Sequence, residues 1–583
     1  MSKIHIKIND IPLEVEEGMS VLQAARLVNI YIPTLCYLSL HIVHEHKINA
    51  SCRVCVVEIK GRRNLAPSCS TKCVEGMEVY TNTQRVIRAR RTVIELLLSD
   101  HPQDCAMCEK NLKCQLQKIA AKMHIREIPY RGEHSQPNEY LNSLAIKKDK
   151  AKCILCGNCV EVCSKVQDCN VLTFSHRGFK TFVGPAFDVS LDASKCVSCG
   201  QCVNVCPTGA LAQTSCINEV WNVIHDPKKH VLVQVAPAVR VALGEEFGYS
   251  LGTAVTGKMV TALRTLGFDR VFDTNFGADL TIMEESNELV ERLKEGRNLP
   301  LITSCCPGWI SFIEGEYPDL LNLPSSCKSP HEMFGAMAKS YYAEKEHIDL
   351  NDLVVVSVMP CLAKKKEIIR PQLQNGGYPN VDYVLTTREL AHMIKEVGID
   401  FDALPNGTFD NPLGESTGAA DIFGVSGGVL EAALRNAMLT VEGKCKNIDF
   451  EAVRGYEGFK EATITLGGQE LKVCAVNGLK NARKVMEMIR NGTCKYQAIE
   501  VMACPGGCIN GGGQPFHQRK MSNTIIGKRM EGLYMQDLSK KARISLQNPY
   551  IQKLYDEYLG KPGSKKAHEL LHTSFSKREI SSK

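Results

Sequence analysis

The placement of cysteine constrains this chain more than any other feature. Its 583 residues hold 27 cysteines, of which 18 fall between Cys36 and Cys216 and nine are spread over the remainder. A disulfide scaffold is short and secreted. This chain is long and starts with MSKIHIKINDIPLEV, an alternation that reads as a β-strand in place of a signal peptide. The expectation is a cytoplasmic protein whose reduced thiols serve metal. The length predicts several domains. A net charge of +6 from 70 basic and 64 acidic residues is too weak and diffuse for a nucleic-acid partner. No apolar run reaches membrane-span length, and the longest candidate, 353–359, reads as a core strand.

Residues 1–82 read as a small β-grasp domain. Ile4, Ile6 and Ile8 alternate, a short helix follows Met19, and CRVCVVEIKG supplies a further strand. The run Cys36-x15-Cys52-x2-Cys55-x13-Cys69 offers the four thiolates of a [2Fe–2S] centre, with structural zinc as the other S4 reading and Cys73 left over. Residues 83–125 start with an amphipathic helix, TQRVIRARRTVIELLLSDHP, that leads into His101-x3-Cys105-x2-Cys108-x5-Cys114. One imidazole replaces one thiolate there; zinc suits such a set in isolation, and the neighbouring motifs favour a [4Fe–4S] cluster.

Residues 126–215 carry a duplicated run: Cys153, Cys156, Cys159 and Cys163, then Cys196, Cys199, Cys202 and Cys206 followed by Pro207. In two-cluster ferredoxin runs the fourth cysteine of each motif ligates the other cluster. One [4Fe–4S] centre is expected on Cys153, Cys156, Cys159 and Cys206, the other on Cys196, Cys199, Cys202 and Cys163. Ser164 stands where the first motif usually has proline, and Cys169 and Cys216 are surplus. Such a series of centres conducts electrons but catalyses nothing.

Beyond residue 225 strands and helices alternate. HVLVQVAP, RVFDTNF, LPLITS and DLVVVSVMP read as strands and GKMVTALRTLGF as a helix, which predicts α/β layers with largely parallel sheets. Ligands in such folds sit beyond the carboxyl ends of the strands, where TSCCPGW and MPCLAKKKE lie.

Together with EVMACPGGCINGGGQP, these segments resemble the three signature segments of the iron-only hydrogenases, and the resemblance runs over essentially the whole chain. It implies a multidomain α+β and α/β protein. A two-lobed α/β H-cluster domain would span 216–540, and a small-subunit-like segment that wraps it would span 541–583. It further implies a [4Fe–4S] cubane on Cys306, Cys361, Cys504 and Cys508, with Cys508 bridging to a diiron unit that carries CO, CN and dithiolate ligands. Lys364 matches the residue that hydrogen-bonds a cyanide; a surface lysine in a basic run describes Lys365 and Lys366 better. Pro237 and Ala238 match a backbone stretch at the other cyanide. Met359, Phe423 and Met502 match apolar walls and read by themselves as core.

Cys305 neighbours a ligand without being one, and the resemblance makes it the thiol that hands on protons. Glu285, Ser325 and Glu288 then continue a relay, with Arg292 near its mouth. Residues 285, 288 and 292 share one helical face at i, i+3 and i+7, a spacing equally open to a solvated face. His331 stands where the family often has Gln, and Cys327 where Ala is usual. Cys445, Cys474 and Cys494 match no ligand and read as buried hydrophobes.

Two decoys are set aside. GTAVTGK at 252–258 is followed by Met259 where a magnesium-binding hydroxyl belongs, and no dinucleotide fingerprint is present. Non-catalytic assembly or hydrogen-sensing relatives lack either the full pocket or the relay thiol. Large NADH-dehydrogenase and formate-dehydrogenase chains share the front order but lack the three signatures. Two roles fit: a stand-alone ferredoxin-dependent enzyme, or, closer in overall sequence, the catalytic subunit of an NAD(P)-linked electron-bifurcating complex. The complex would add a flavin- and NAD(P)-binding iron–sulfur subunit and a thioredoxin-like [2Fe–2S] subunit.

Overall fold

The computed structural model describes residues 2–40, 45–48, 50–137, 142–445, 448–517 and 522–579. The first alternating stretch is a hairpin, Lys3–Ile8 against Ile11–Glu16. Ile4, Ile6 and Ile8 face inward, as the period of two requires. Lys3–Ile8 also runs parallel to Glu78–Tyr80, which pairs antiparallel with Val56–Ile59, so the five-stranded sheet is mixed. A capping box between Ser20 and Gln23 starts the helix Val21–Leu27, whose apolar face packs on that sheet.

The helix Gln84–Ser99 starts at Thr83, whose side chain accepts from the Val86 amide. Its buried Arg90 donates from Nε and Nη2 to the Val56 carbonyl at 3.0 and 2.7 Å, tying the helix to the strand that follows Cys55. In the duplicated region each CxxCxxC loop turns through a left-handed glycine, Gly157 (φ 73°) and Gly200 (φ 72°), into a short helix.

The back half holds two sheets. One is parallel throughout, in the order Arg270–Asp273, His230–Val235, Leu353–Met359, Tyr383–Thr386. The other runs Leu301–Ile302, Ala498–Met502, Gln469–Asn477, Phe459–Leu466, parallel except for its last hairpin. TSCCPGW, MPC and ACPGGC all leave the carboxyl ends of these strands, so the two lobes deliver three cysteine segments to one cleft. RVFDTNF is only half strand: Asp273 caps a helix that takes in Thr274–Glu295.

Residues 523–579 pack across this domain. Ile551, Leu554, Tyr555, Leu559, Ala567 and Leu571 join the core around the parallel sheet. Arg578 reaches the Cys196 and Ser194 carbonyls, both at 2.9 Å. Among the described residues no helix is long and apolar enough to cross a membrane.

Candidate active site and cluster-binding cavities

In the first domain the free Cys36 and Cys52 thiols are within hydrogen-bonding reach of each other, as are those of Cys55 and Cys69, and Cys69 faces all three others. Four thiols meeting among buried residues fit a small cluster. A second cavity is lined by His101, Cys105, Cys108 and Cys114. A third is lined by Cys153, Cys156, Cys159 and Cys206, which is the crossed set and not the sequential one. Cys202 faces Cys196, Cys199 and Cys163, completing the other crossed set. Burial raises the Cys153, Cys159, Cys163, Cys196, Cys199 and Cys202 thiols, so each of these holds its proton until a metal displaces it.

The sites follow one another in space. Cys36, Cys52, Cys114 and Cys156 share one apolar cluster. Asn158 Nδ2 donates to the Leu35 carbonyl at 3.3 Å, and the Gln115 amide to Pro207 at 2.9 Å. Cys159 borders Cys202, and Cys199 borders Cys361 and Cys504. That last junction is close because Gly200 meets Gly512: a Cβ on Gly200 would sit 2.8 Å from the Gly512 Cα. Gln201 Nε2 and Gln167 Nε2 pin the junction by donating to the Asn510 and Ala503 carbonyls, both at 2.9 Å.

At the centre, Cys306 caps the helix Pro307–Glu316, and its thiol faces Cys361, Cys504 and Cys508. Burial pushes Cys361 up to about 11, with Cys306 adding to it. Cys305 packs against the apolar group of Phe423, Met502 and Ile282, while its thiol also borders Cys306 and Cys508. Its thiol is raised well above the usual range, first by burial and then by Glu285, and so keeps its proton.

From Cys305 a file of polar groups leads away. Glu285 is 2% exposed, and burial, then Glu288 and Glu500, raise it to about 8. The Ser325 hydroxyl contacts Glu285 and donates to Glu288 Oε2 at 2.7 Å. Glu288 Oε1 pairs with Arg292 at 2.5 Å, and Arg292 donates to the Leu323 carbonyl at 2.8 Å. The helix bearing both glutamates is buried for most of its length, so the solvated-face reading fails for Glu285.

Lys364 donates to the Cys305 carbonyl at 3.3 Å and pairs with Glu367 at 2.7 Å. His331 Nε2 lies 2.7 Å from the same Glu367 oxygen. Burial opposes ionisation of Glu367, but Lys364 and His331 outweigh it and hold the group down at about 2. Glu367 is the residue that sequence reasoning missed, and the i, i+3 step from Lys364 was the available signal; His331, noted in the sequence only as a departure from the family's Gln, turns out to share that carboxylate. Lys365 is a correction: at 7% exposure, paired with Glu389 at 2.9 Å, it is no surface lysine. Met359 and Ala238 are buried in neighbouring groups, with Cys508 packed beside Ala238. Pro237 starts the helix Pro237–Arg240. Cys474 is buried as expected, whereas Cys445 and Cys494 keep partial exposure.

The family models coincide with these elements. Residues 229–512 match the iron only hydrogenase large subunit, C-terminal domain, and 523–578 the iron hydrogenase small subunit. Residues 1–84 match a 2Fe-2S iron-sulfur cluster binding domain, and 90–129 the NADH-ubiquinone oxidoreductase-G iron-sulfur binding region. Residues 152–210 match a 4Fe-4S dicluster domain. The NADP-reducing hydrogenase subunit HndD of Solidesulfovibrio fructosivorans is 52% identical over 99% of this chain and 100% of its own. This chain belongs to the iron-only hydrogenases.

As an iron-only hydrogenase catalytic subunit it acts on dihydrogen behind an amino-terminal iron–sulfur relay. Iron hydrogenase 1 of Clostridium pasteurianum is 41% identical over 98% of this chain and 100% of that one. The apo [FeFe]-hydrogenase of Chlamydomonas reinhardtii superposes with a TM-score of 0.57 at 43% identity, covering 62% of this hydrogenase and 99% of that chain.

Proposed function

We propose that this hydrogenase works as the catalytic subunit of a cytoplasmic, electron-bifurcating complex linking dihydrogen to NAD(P) and ferredoxin. Its partners would be a flavin- and NAD(P)-binding iron–sulfur subunit and a thioredoxin-like [2Fe–2S] subunit. The full-length likeness to a subunit of an NADP-reducing hydrogenase supports this reading. The relay would hold one [2Fe–2S] centre in a β-grasp domain and three [4Fe–4S] centres, in the residue sets given above. Cys306, Cys361, Cys504 and Cys508 would hold the cubane of the H-cluster. That group, when bound, supplies the redox chemistry of dihydrogen.

The protein's own part is to move protons and exclude water. The single observation that carries the catalytic reading is the buried file Cys305, Glu285, Ser325, Glu288. It joins the Cys305 thiol to the half-buried Glu288–Arg292 pair. A thiol and a carboxyl that both hold protons at neutral pH suit passage in either direction. Lys364, fixed by Glu367, presents a cation beside Cys305, while Phe423, Met502 and Met359 keep the surroundings apolar.

The test is electron-acceptor specificity. The purified single chain should reduce a one-electron dye with dihydrogen and leave NAD(P) unreduced, and addition of the partner subunits should confer NAD(P) reduction. Rapid NAD(P) reduction by the chain alone would refute the complex. Full physiological turnover with ferredoxin alone would favour the stand-alone role.

A further inference from the structure

We propose that Glu288, Cys327 and His572 form a binding site for a divalent cation of zinc type. The site lies where the polar file turns outward, and its occupation withdraws Glu288 from that file. One ligand atom from each residue lies within 4.8 Å of the other two. Cys327 Sγ stands 4.0 Å from Glu288 Oε2. Thiolate, imidazole and carboxylate are donors that zinc takes at about 2.0–2.3 Å, which sets ligand atoms around one ion roughly 3.3–3.8 Å apart. From the present separations, closing the site takes ligand-atom shifts of about an ångström.

The three donors come from distant parts of the chain, and backbone hydrogen bonds hold two of them in register. Cys327 and His572 form an antiparallel bridge. The Lys328 amide donates to the Leu571 carbonyl at 2.8 Å and the Thr573 amide to Ser326 at 2.7 Å. Cys327 is 1% exposed and faces Glu288, Glu285 and Glu284, so a thiol and three carboxylates crowd a place where Arg292 already occupies Glu288 Oε1.

A second observation concerns the imidazole. Glu284 is anchored by the Tyr555 hydroxyl at 2.5 Å and the Gly563 amide at 2.9 Å, and its Oε2 lies 3.0 Å from His572 Nε2. A carboxylate in that place puts the ring proton on Nε2 and leaves the Nδ1 lone pair for a ligand, as metal-bound histidines are arranged. Nδ1 rests 2.7 Å from the Ser326 hydroxyl, a rotor that an ion can displace.

The site stands on its own geometry; only its consequence rests on the proton route proposed above. An ion held by Glu288 Oε2 competes with the Ser325 hydroxyl for the same oxygen. The experiment adds one equivalent of Zn2+ to the anaerobic holoenzyme and records zinc X-ray absorption beside hydrogen turnover. One sulfur neighbour at about 2.3 Å is expected. Cys327→Ala, or the nearly isosteric Cys327→Ser, should lose that sulfur, and His572→Ala should weaken zinc uptake at least tenfold in equilibrium dialysis. Zinc should slow the wild type at least tenfold relative to its own metal-free sample, and should leave Cys327→Ala close to its own. Absence of the sulfur neighbour, or equal uptake by wild type and Cys327→Ala, overturns the site. Zinc bound through Cys327 with turnover unchanged keeps the site and overturns the place of Glu288 in the proton route.

Discussion

The Ser325 hydroxyl donates to Glu288 Oε2 at 2.7 Å while also contacting Glu285, whose own Oε2 is buried without a hydrogen-bond partner. An orphaned carboxyl oxygen in the interior is costly unless the group keeps its proton or the proton moves on. Ser325 is the hydroxyl that touches both acids, so Ser325→Ala should cut turnover by about 10²–10⁴, the range that positioned proton-transfer groups contribute. Infrared bands of the CO and CN ligands should stay in place. Unchanged turnover would mean that protons take another way.

Neighbouring thiols should part company on substitution. Cys305 packs against Phe423 and Met502, whereas Cys306 faces the other three central cysteines. Cys305→Ser is nearly isosteric but far less acidic, so it should leave iron content and infrared bands intact while turnover collapses. Cys306→Ser should lose cubane iron and the bands together.

Glu285 should impose a pH dependence on stability. Its ordinary value is 4.5 and burial lifts it to about 8. The folded protein therefore binds more protons than the unfolded chain between those values, and stability falls as pH rises through that window. Below about 4.5 both states are protonated and the slope disappears. Glu285→Gln should flatten the decline in thermal midpoint between pH 5 and about 8; an identical slope in the variant would assign the effect to other groups.

The tail should behave as part of the core. Leu571 is 0% exposed, and the Leu570 carbonyl accepts from the buried Lys328 ammonium at 2.8 Å. Leu571→Ala should cost about 2–5 kcal/mol, as other buried leucine truncations do, and lower the thermal midpoint by several degrees. Removal of residues 548–579 should leave Glu284 without its three donors and yield insoluble protein.

Metal analysis checks the relay. The matured chain should hold five cubane or rhombic units and the diiron unit. His101→Ala should reduce iron by up to one cubane, because the cavity of Cys105, Cys108 and Cys114 loses its fourth donor. Stoichiometric zinc in the wild type at that cavity would displace the iron assignment there.

In the duplicated run cysteine spacing alone pointed to the crossed thiol groups, because a CxxC turn places two thiols by local backbone geometry and a repeated motif implies its crossed partner, whereas the central four were expected only from the resemblance to the family. Strand alternation determined the layers for the same local reason: Leu353–Met359 is buried at every position, as an interior parallel strand must be. Tertiary structure alone decided which glutamate on one helical face is buried, since i, i+3 spacing is the same whether a face meets water or protein. It also decided that Lys365 is buried beside Glu389, that Glu367 holds Lys364, and that His572 reaches Cys327. The last of these joins positions far apart in the chain. Such contacts depend on where two separately folded segments pack, and residue spacing carries no record of that distance.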